Sequence, residues 1–377
     1  MTQSKKLVLN KLPSPTWSWL KMNNAQVDFP RLFEKLIDET CISGLEDGIV
    51  FENGKKLSIN KNIFLHKNVS ACFEELASSK ELASSKELDS FFEKKCLEFP
   101  ATFTVTGKHE KPVVVSIECK NDECAICEQT IYAKENSESS FIFFINSYDD
   151  DNGSCFVKTK IFAEKNAKVN IFKVQVLGNG YFHIDDSSCI CASGAAINFS
   201  QIELGGKDVY SALHCVLEGD CSSFRSDFAY YCEKEQLLDM NHVVPQFGKK
   251  TECRMYVNGT LTDSAQKTYR GTIDFKNGCS GAFGDEQEQV LLLSPNVKNN
   301  SIPVILCDEE DVEGEHGASV GRLGEDVLFY MQSRGISKKT AEKIIAKSKI
   351  QTLLNKIEDS YVYEAVEQKM NRVFNED

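Results

Sequence analysis

The chain has 377 residues and a formal net charge of -13, with 43 Lys and Arg against 56 Asp and Glu. A chain this acidic does not bind nucleic acid or an anionic lipid surface through its overall field, and it has no long basic segment. Hydrophobic residues make up 41% of the chain, which is enough for a buried core and excludes wholesale disorder.

The N-terminus lacks the apolar segment of a secretory signal peptide, because residues 1–6 lead into only three apolar residues. The longest purely apolar run near the middle, residues 141–145, is far too short to cross a membrane. The 15 cysteines, an odd number, are therefore expected to be thiols or metal ligands rather than a disulfide framework. These features predict a cytoplasmic protein without a membrane span.

Three regions differ in their apolar pattern. Residues 1–98 are predicted to be partly helical, because Leu36 and Ile37 follow Pro30 at helical spacing and the hexad ELASSK is repeated in residues 75–86. A six-residue period drifts around a helix, so the repeat is interpreted as a solvent-exposed surface helix.

From residue 99 to about 310, apolar residues alternate with period two, which predicts β-strands. The alternation is clearest in residues 113–117, 155–162, 169–177 and 195–204. Small residues follow turn signals at intervals of roughly 28 residues, at Ala167, Ala195, Cys221, Thr251 and Cys279. This repeat is typical of a β-solenoid, in which each turn packs on the next. Periodicity alone leaves a β-sandwich open as the alternative.

Residues 318–377 return to helical spacing. A first helix is predicted over 325–333 with Gly335 just beyond its end, and Ser337 is expected to cap a second helix. The apolar stripe of the second helix consists of Ala341, Ile344, Ile345, Leu353, Leu354 and Ile357. The last turn of a solenoid leaves backbone N–H and C=O groups unpaired, which promotes association with other chains. The flanking helices are therefore expected to cap the ends of the solenoid.

Common catalytic motifs are absent from the sequence. Residues 205–208 (GGKD) come nearest to a phosphate-binding loop but lack its spacing and its magnesium-binding hydroxyl. No dinucleotide-binding GxGxxG, nucleophile elbow or HExxH pair occurs. Closely spaced cysteines are Cys119, Cys124 and Cys127, and also Cys189 and Cys191. With so many cysteines, such spacings arise by chance, so isolated thiols are favoured over a zinc site.

A dense polar segment follows the predicted strands. Glu286 and Glu288 share one face of a strand, and His316 stands in an acidic, glycine-containing segment that is expected to form an exposed turn. An imidazole with several carboxylates is a reasonable ligand set for iron. A solvated acidic loop with an ordinary histidine is the alternative, and spacing alone favours it.

Four segments in chain order are recognisable: residues 15–23 with their two tryptophans, 291–303, 311–321 and 328–336. Together they resemble the SufB/SufD family of iron–sulfur cluster assembly scaffold proteins, in a SufD-like form. The resemblance implies a mainly β fold, a right-handed parallel β-helix (solenoid) with helical N-terminal and C-terminal parts. The implied division is residues 1–98, a β-helix core at 99–317 and a C-terminal helical domain at 318–377.

The family role that the resemblance implies is a non-catalytic scaffold. The expected partners are a SufC-type ABC ATPase, a SufB-like subunit or a second copy of this chain joined through the β-helices, and indirectly a cysteine desulfurase system. The implied cargo is transient iron or an iron–sulfur cluster, and a flavin is a further candidate in the complex. The implied ATPase-docking residues are Phe329, Tyr330, Ser333, Arg334, Gly335 and Ser337.

The resemblance also implies site residues. His316 matches the SufD histidine at the subunit interface, and carboxylates at Glu286, Glu288 and Glu315 are expected to bind ferrous iron transiently. Glu315 stands where a serine is usual in SufD, so a divergent SufD-like protein or a homodimeric paralogue stays open.

One departure from the family concerns cysteine. SufB carries a cluster-building cysteine near the strand that leads into residues 291–293, and this chain has none there, which favours the SufD-like assignment. Cys279 and Cys307 are the nearest substitutes in sequence. Two other functions stay open: a carbohydrate-active β-helix enzyme, against which the cysteines and the missing signal peptide argue, and a purely structural solenoid.

Overall fold

The computed structural model describes residues 6–14, 22–28, 36–37, 40–44, 49–52, 101–149 and 151–375. Most of them form two long parallel sheets, to which consecutive strands of the chain belong alternately. Each pair of strands therefore completes one turn, and about eight turns stack into a parallel β-solenoid. The predicted solenoid is confirmed, and the β-sandwich is wrong, because sandwich strands pair antiparallel.

The elements have the following bounds. The strands are β1 Lys6–Leu9, β2 Ala25–Asp28, β3 Leu36–Ile37, β4 Thr40–Ser43, β5 Ile49–Glu52, β6 Ala101–Val105, β7 Val113–Glu118, β8 Glu123–Ala133, β9 Glu138–Asn146, β10 Asn152–Ala163, β11 Lys168–Val176, β12 Gly180–Cys191, β13 Ala196–Glu203, β14 Asp208–Leu217, β15 Ser223–Cys232, β16 Leu237–Gln246, β17 Glu252–Leu261, β18 Gln266–Phe275, β19 Ala282–Leu292, β20 Lys298–Cys307 and β21 Val312–Gly321. The helices are α1 Glu325–Ser333, α2 Lys338–Leu354 and α3 Ser360–Asn375. The four segments with the clearest predicted alternation lie in β7, β10, β11 and β13.

Register stacks equivalent side chains in columns. The even sheet has the order β20-β18-β16-β14-β12-β10-β8-β6-β5, and the odd sheet has the order β21-β19-β17-β15-β13-β11-β9-β7-β4. In the odd sheet, Phe141, Ile171 and Phe199 are successive partners and are buried together in the main apolar cluster. Alternate residues of a strand face the interior, which explains the period-two pattern.

One corner of the solenoid is set by a left-handed residue in each turn. These residues, with φ between 54° and 75°, are Asn136, Asn166, Gly194, Cys221, Lys250 and Gly281. The amide N–H of each one donates to a carbonyl of the next turn. The residue that follows each one is small and buried: Ser137, Ala167, Ala195, Ser222, Thr251 and Ala282. The predicted small-residue positions are therefore right at Ala167, Ala195 and Thr251. They are wrong at Cys221, which is itself the left-handed residue, and at Cys279, which lies three residues too early.

The C-terminal helices cover a side of the solenoid and not its end. Buried residues of α2 and α3, among them Ile350 and Val366, pack against Phe144 and Val174 on the outer face of the odd sheet. Ion pairs add to this contact, one of them between Lys356 and Asp227 at 3.1 Å. The expectation that these helices cap the end is therefore wrong: an amphipathic stripe requires an apolar partner, and a sheet face provides one.

Helix boundaries in this part agree with the sequence. Gly335, with φ of 81°, follows α1, and the Ser337 hydroxyl accepts the Thr340 amide N–H at 3.1 Å to cap α2. The predicted stripe is mostly buried, but Ile344 is 45% exposed, and Ile350 is among the residues that make the contact instead.

Of the described N-terminal segments, the β1–β2 hairpin and residues 36–37 lie on the even sheet, whereas β4 pairs with β7 at the end of the odd sheet. Leu7 and Leu9 of the β1–β2 hairpin contact Phe156 in an apolar cluster. Residues 36–37 form a short strand that pairs with β8, so the helical prediction is wrong for them. The ELASSK repeat and residues 15–21, which include both tryptophans, lie outside the described residues.

Close packing in the interior leaves no room for a side chain at Gly259. This residue of β17 is the partner of Tyr230, and a methyl group there would overlap the buried Tyr230 ring. Gly259→Ala is expected to lower the free energy of unfolding by about 1–3 kcal/mol in urea denaturation. The control is Gly321→Ala, where an added Cβ meets open space. Equal stability of the two variants would contradict this packing.

Candidate functional site

The last turn of the solenoid brings two of the predicted site residues together. His316 of β21 and Glu286 of β19 are Cα partners in adjacent parallel strands, so their side chains lie on the same face of the sheet. That face is the interior, because a Cβ on Gly314, two residues before His316, would meet Phe275 and Ile305. His316 is exposed, as predicted, but it lies on a strand rather than on a turn.

Glu286 is a buried carboxyl beside this exposed imidazole. Burial raises the pKa of Glu286 to about 8, although the nearby Tyr269 hydroxyl favours the ionised form. Oε2 of Glu286 has no hydrogen-bond partner. The carboxyl fits because residue 271 is glycine: a Cβ there would overlap Oε1 of Glu286. A buried carboxyl with a raised pKa is thus held next to the histidine.

Glu288 lies two residues further along the same interior face. It forms a buried ion pair with Lys267 of β18, whose ammonium also donates to the Ser301 hydroxyl at 3.3 Å. Burial lowers the pKa of Lys267, and the adjacent Glu288 carboxylate opposes that shift. Glu288 is therefore already charge-compensated, unlike Glu286.

Lys267 and Tyr269 were missed by sequence reasoning. Both belong to the even sheet, whereas Glu286 and Glu288 belong to the odd sheet. The signal that could have found them is the alternation in residues 266–275, which shows Lys267 and Tyr269 to share one face of their strand.

Glu315 lies on the other face of the last strand. Its partner is Asp285, whose carboxylate accepts hydrogen bonds from the Tyr256 hydroxyl at 3.0 Å and from Nε2 of Gln287 at 2.8 Å. Because neighbouring residues of a strand point to opposite faces, Glu315 does not join His316 and Glu286 in the interior.

The two candidate cysteines lie at a corner of the last turns. Cys279 is buried, and Sγ of the exposed Cys307 donates to the Glu309 carbonyl at 3.0 Å. Burial raises the pKa of Cys279, and the charge of Glu309 adds to the effect. Glu286 comes four residues after the start of β19, which puts it roughly 13 Å along the strand from this corner. The predicted site residues thus fall into an interior group of His316, Glu286 and Glu288 and a corner pair of cysteines, with Glu315 apart from both.

The other closely spaced cysteines are buried thiols, some of which contact one another: Cys119 is hydrogen-bonded to Cys155, and Cys189 and Cys191 to Cys215. Cys119, Cys127 and Cys155 share one buried cluster, whereas Cys124 packs in a different one. The twelve cysteines that the structure describes are all free. No group of three metal-type ligands among the described residues includes a cysteine.

The predicted docking residues lie on and after α1, none of whose residues is buried. Phe329 and Tyr330 are 75% and 60% exposed, and the Arg334 guanidinium lies 5.5 Å from the centre of the Tyr330 ring. We call Phe329, Tyr330 and Arg334 the α1 patch. Ser333 donates to the Tyr330 carbonyl at 2.7 Å, and Gly335 and Ser337 form the link to α2. In the described part of the chain, no helix is long and apolar enough to cross a membrane.

Several known proteins that are similar to this chain are named as iron–sulfur cluster assembly proteins. Residues 117–349 match the family model of the SufBD core domain of SUF-system FeS cluster assembly. Iron-sulfur cluster assembly protein SufD of Bacillus subtilis is 25% identical over 251 residues, covering 66% of this chain and 57% of the relative. The chloroplastic SufBD family protein ABCI8 of Arabidopsis thaliana is 26% identical over 247 residues, covering 62% and 44%.

SufB of Bacillus subtilis is 22% identical over 214 residues, covering 57% of this chain and 45% of the relative. The chain thus spans about half the length of these curated relatives. The family model covers more than half of the chain, and the parallel solenoid is the fold that the resemblance implied. The chain belongs to the SufBD core family of SUF-system iron–sulfur cluster assembly proteins.

Proposed function

We propose that this chain is the SufD-like scaffold subunit of a cytoplasmic Suf complex and that it has no catalytic step of its own. Family membership and the similarity to a SufD protein support the assignment. The observation that carries the proposal is the pairing of exposed His316 with buried Glu286 at the end of the solenoid. A site at an edge, rather than in an enclosed pocket, suits a scaffold that shares its cargo with a partner.

The edge itself is the proposed interface with a second solenoid. β20 and β21 are the terminal strands of their sheets, and most residues of β21 are exposed. A terminal strand offers unpaired N–H and C=O groups that pair with the edge of another chain. The partner is a SufB-like subunit or a second copy of this chain, and His316 then lies in the interface between the two solenoids.

The proposed cargo is iron or a nascent cluster. The His316 imidazole and the carboxyl groups of Glu286 and Glu288, all on the interior face, are ligands that ferrous iron accepts, and Glu315 would bind it separately on the opposite face. The Cys279–Cys307 corner supplies thiols at a separate place on the same turns. Sulfur would come indirectly from a cysteine desulfurase, and flavin binding by the complex stays a prediction from the resemblance.

The α1 patch is the proposed docking surface for a SufC-type ABC ATPase. Two exposed aromatic side chains next to an arginine have the composition of an interface centre. Ser333, Gly335 and Ser337 complete this surface on the link to α2. ATP hydrolysis by the partner would then act on the solenoid edge through the C-terminal helices.

Co-expression tests the assignment. The chain is produced with the Suf ATPase of the same organism, with and without its SufB, purified anaerobically and weighed by native mass spectrometry. A stoichiometric complex is expected, and the two arms show whether SufB is required. Elution of the chain alone in both arms would overturn the proposed function.

Charge reversal in the α1 patch is expected to weaken ATPase binding. Arg334→Glu removes a cation from the interface centre, where single substitutions lower affinity about tenfold or more. The measurement is the amount of ATPase that co-purifies with the tagged chain, with circular dichroism to verify the solenoid. Lys165→Glu, an exposed charge reversal on a distant turn, is the control. Unchanged co-purification with Arg334→Glu would place the docking surface elsewhere.

A further inference from the structure

A second polar cluster lies deep inside the solenoid, several turns from its open end. His183 and Asp185 come from β12 and Glu203 comes from β13, so the cluster joins the two sheets. All three side chains are buried, and their ligand atoms lie within 4.8 Å of one another. It is the one such group of three found among the described residues.

The hydrogen bonding of His183 fixes its tautomer. Nδ1 lies 3.0 Å from the Cys155 carbonyl oxygen, and because a carbonyl only accepts, Nδ1 carries the proton. Nε2 is then a bare acceptor, and it has no hydrogen-bond partner. Metal-binding histidines have this arrangement, with one nitrogen donating to a carbonyl and the other directed at the ion.

The two carboxylates are oriented by neighbours but not fully satisfied. Nε2 of Gln201 donates to Oε1 of Glu203 at 2.5 Å, while Oε2 of Glu203 has no partner. Asp185 accepts from Lys173 at 2.5 Å, and Lys173 also donates to the Ser187 hydroxyl at 2.8 Å. One ammonium therefore faces two buried carboxyl groups, and a buried acceptor without a partner is costly.

We propose that His183, Asp185 and Glu203 bind one divalent transition-metal cation, such as Zn²⁺, Mn²⁺ or Fe²⁺, inside the solenoid. One imidazole with two carboxylates suits these ions, whereas Mg²⁺ and Ca²⁺ prefer oxygen ligands alone. Gln201 and Lys173 hold the carboxylates in place, as supporting residues around metal ligands do. The ion gives the orphaned Nε2 of His183 and Oε2 of Glu203 a partner and joins the two sheets.

An apolar layer separates this site from the open end. Met240 stands two strands after Asp185 in one column of the even sheet and directly before Tyr269. Tyr230 follows Glu203 in the odd sheet, and both Met240 and Tyr230 belong to one buried apolar cluster. The proposed ion is thus distinct from cargo at His316, and its binding does not depend on the proposed function.

Metal content of the full chain tests the proposal. The protein is expressed in medium supplemented with Zn²⁺ or Mn²⁺, washed with a chelator and analysed for metal per chain by mass spectrometry. About one ion per chain is expected, and His183→Gln and Glu203→Gln should lower this at least tenfold, because removing a ligand exceeds the effect of losing a supporting residue. The His316→Ala variant should still contain the ion, which would show that the ion is not bound at the open end.

The matched control is His242→Gln. His242 is equally buried in the same sheet, but it packs between the rings of Phe228 and Tyr269. The His242→Gln variant should retain the ion. Loss of the ion from this variant would mean that any change in the interior releases metal. Should the ligand variants fail to fold, anomalous diffraction at the zinc edge from wild-type crystals decides the matter. Metal-free wild-type protein, or no anomalous peak beside His183, would overturn the proposal.

Discussion

Lys267→Met is expected to lower the free energy of unfolding by about 3–5 kcal/mol, because it leaves the buried Glu288 carboxylate without its cation. Both side chains of this pair lie in the interior, where solvent does not replace the lost partner. Methionine keeps most of the volume of the lysine stem, so the loss reports on charge rather than on a cavity. Urea denaturation followed by circular dichroism measures it.

Two further variants separate charge from packing. Lys134→Met removes the lysine of the Lys134–Glu164 pair, which is joined at 2.8 Å but is partly exposed, and it should change stability by less than about 1 kcal/mol. The double variant Lys267→Met with Glu288→Leu should recover most of the loss, because replacing a whole buried pair by apolar residues is often neutral. Similar losses for Lys267→Met and Lys134→Met would contradict this account of the interior.

His316→Ala is expected to abolish cluster maturation while leaving the fold intact. The imidazole is exposed on the last strand, so its removal should change stability by roughly 0.5 kcal/mol or less. If the proposed interface forms at this edge, His316, exposed beside Glu286, is the ligand nearest the partner solenoid. Growth of a strain that lacks the chromosomal copy, under iron limitation, measures the effect and should fall to the level of the empty vector.

A substitution on the same strand provides the control for His316→Ala. Ser319 is also exposed on β21, and Ser319→Ala should support normal growth. Normal growth with His316→Ala would remove this histidine from the proposed site. A growth defect accompanied by a lower melting temperature would point to folding instead and would equally contradict the assignment.

Strand positions were predictable because burial on one face imposes period two. The turn repeat was harder, since turns differ in length and the corners lie roughly 27 to 31 residues apart. Cys221 illustrates the difficulty: a turn signal precedes it, yet it takes the left-handed conformation itself and leaves the buried position to Ser222. The pattern predicts a corner, whereas the hydrogen bond to the next turn decides which residue forms it.

The site was predictable only in part, for a related reason. The resemblance singled out His316, and the alternation put Glu286 and Glu288 on one face. Lys267, which compensates one of those carboxylates, comes from the opposite sheet and has no periodic relation to them. His183 was missed in the same way, because Glu203 lies in the opposite sheet and becomes its neighbour only after the chain has folded at the corner between β12 and β13. The apolar stripe of α2 likewise indicated that one face of the helix is buried, but it did not indicate that this face packs on the odd sheet.

The placement of α2 and α3 makes stability uneven along the molecule. In a solenoid each turn contacts only its neighbours, so local opening starts at an end and propagates inward. α2 contacts β13, β15 and β17, and α3 contacts β11, so the helices stabilise the middle turns. The turn that carries His316 lies beyond the turns that these helices contact, and it has a neighbouring turn on one side alone. Among the described residues, this turn therefore opens at a lower cost in free energy than the turns under the helices, and its backbone groups can then pair with the edge of another chain.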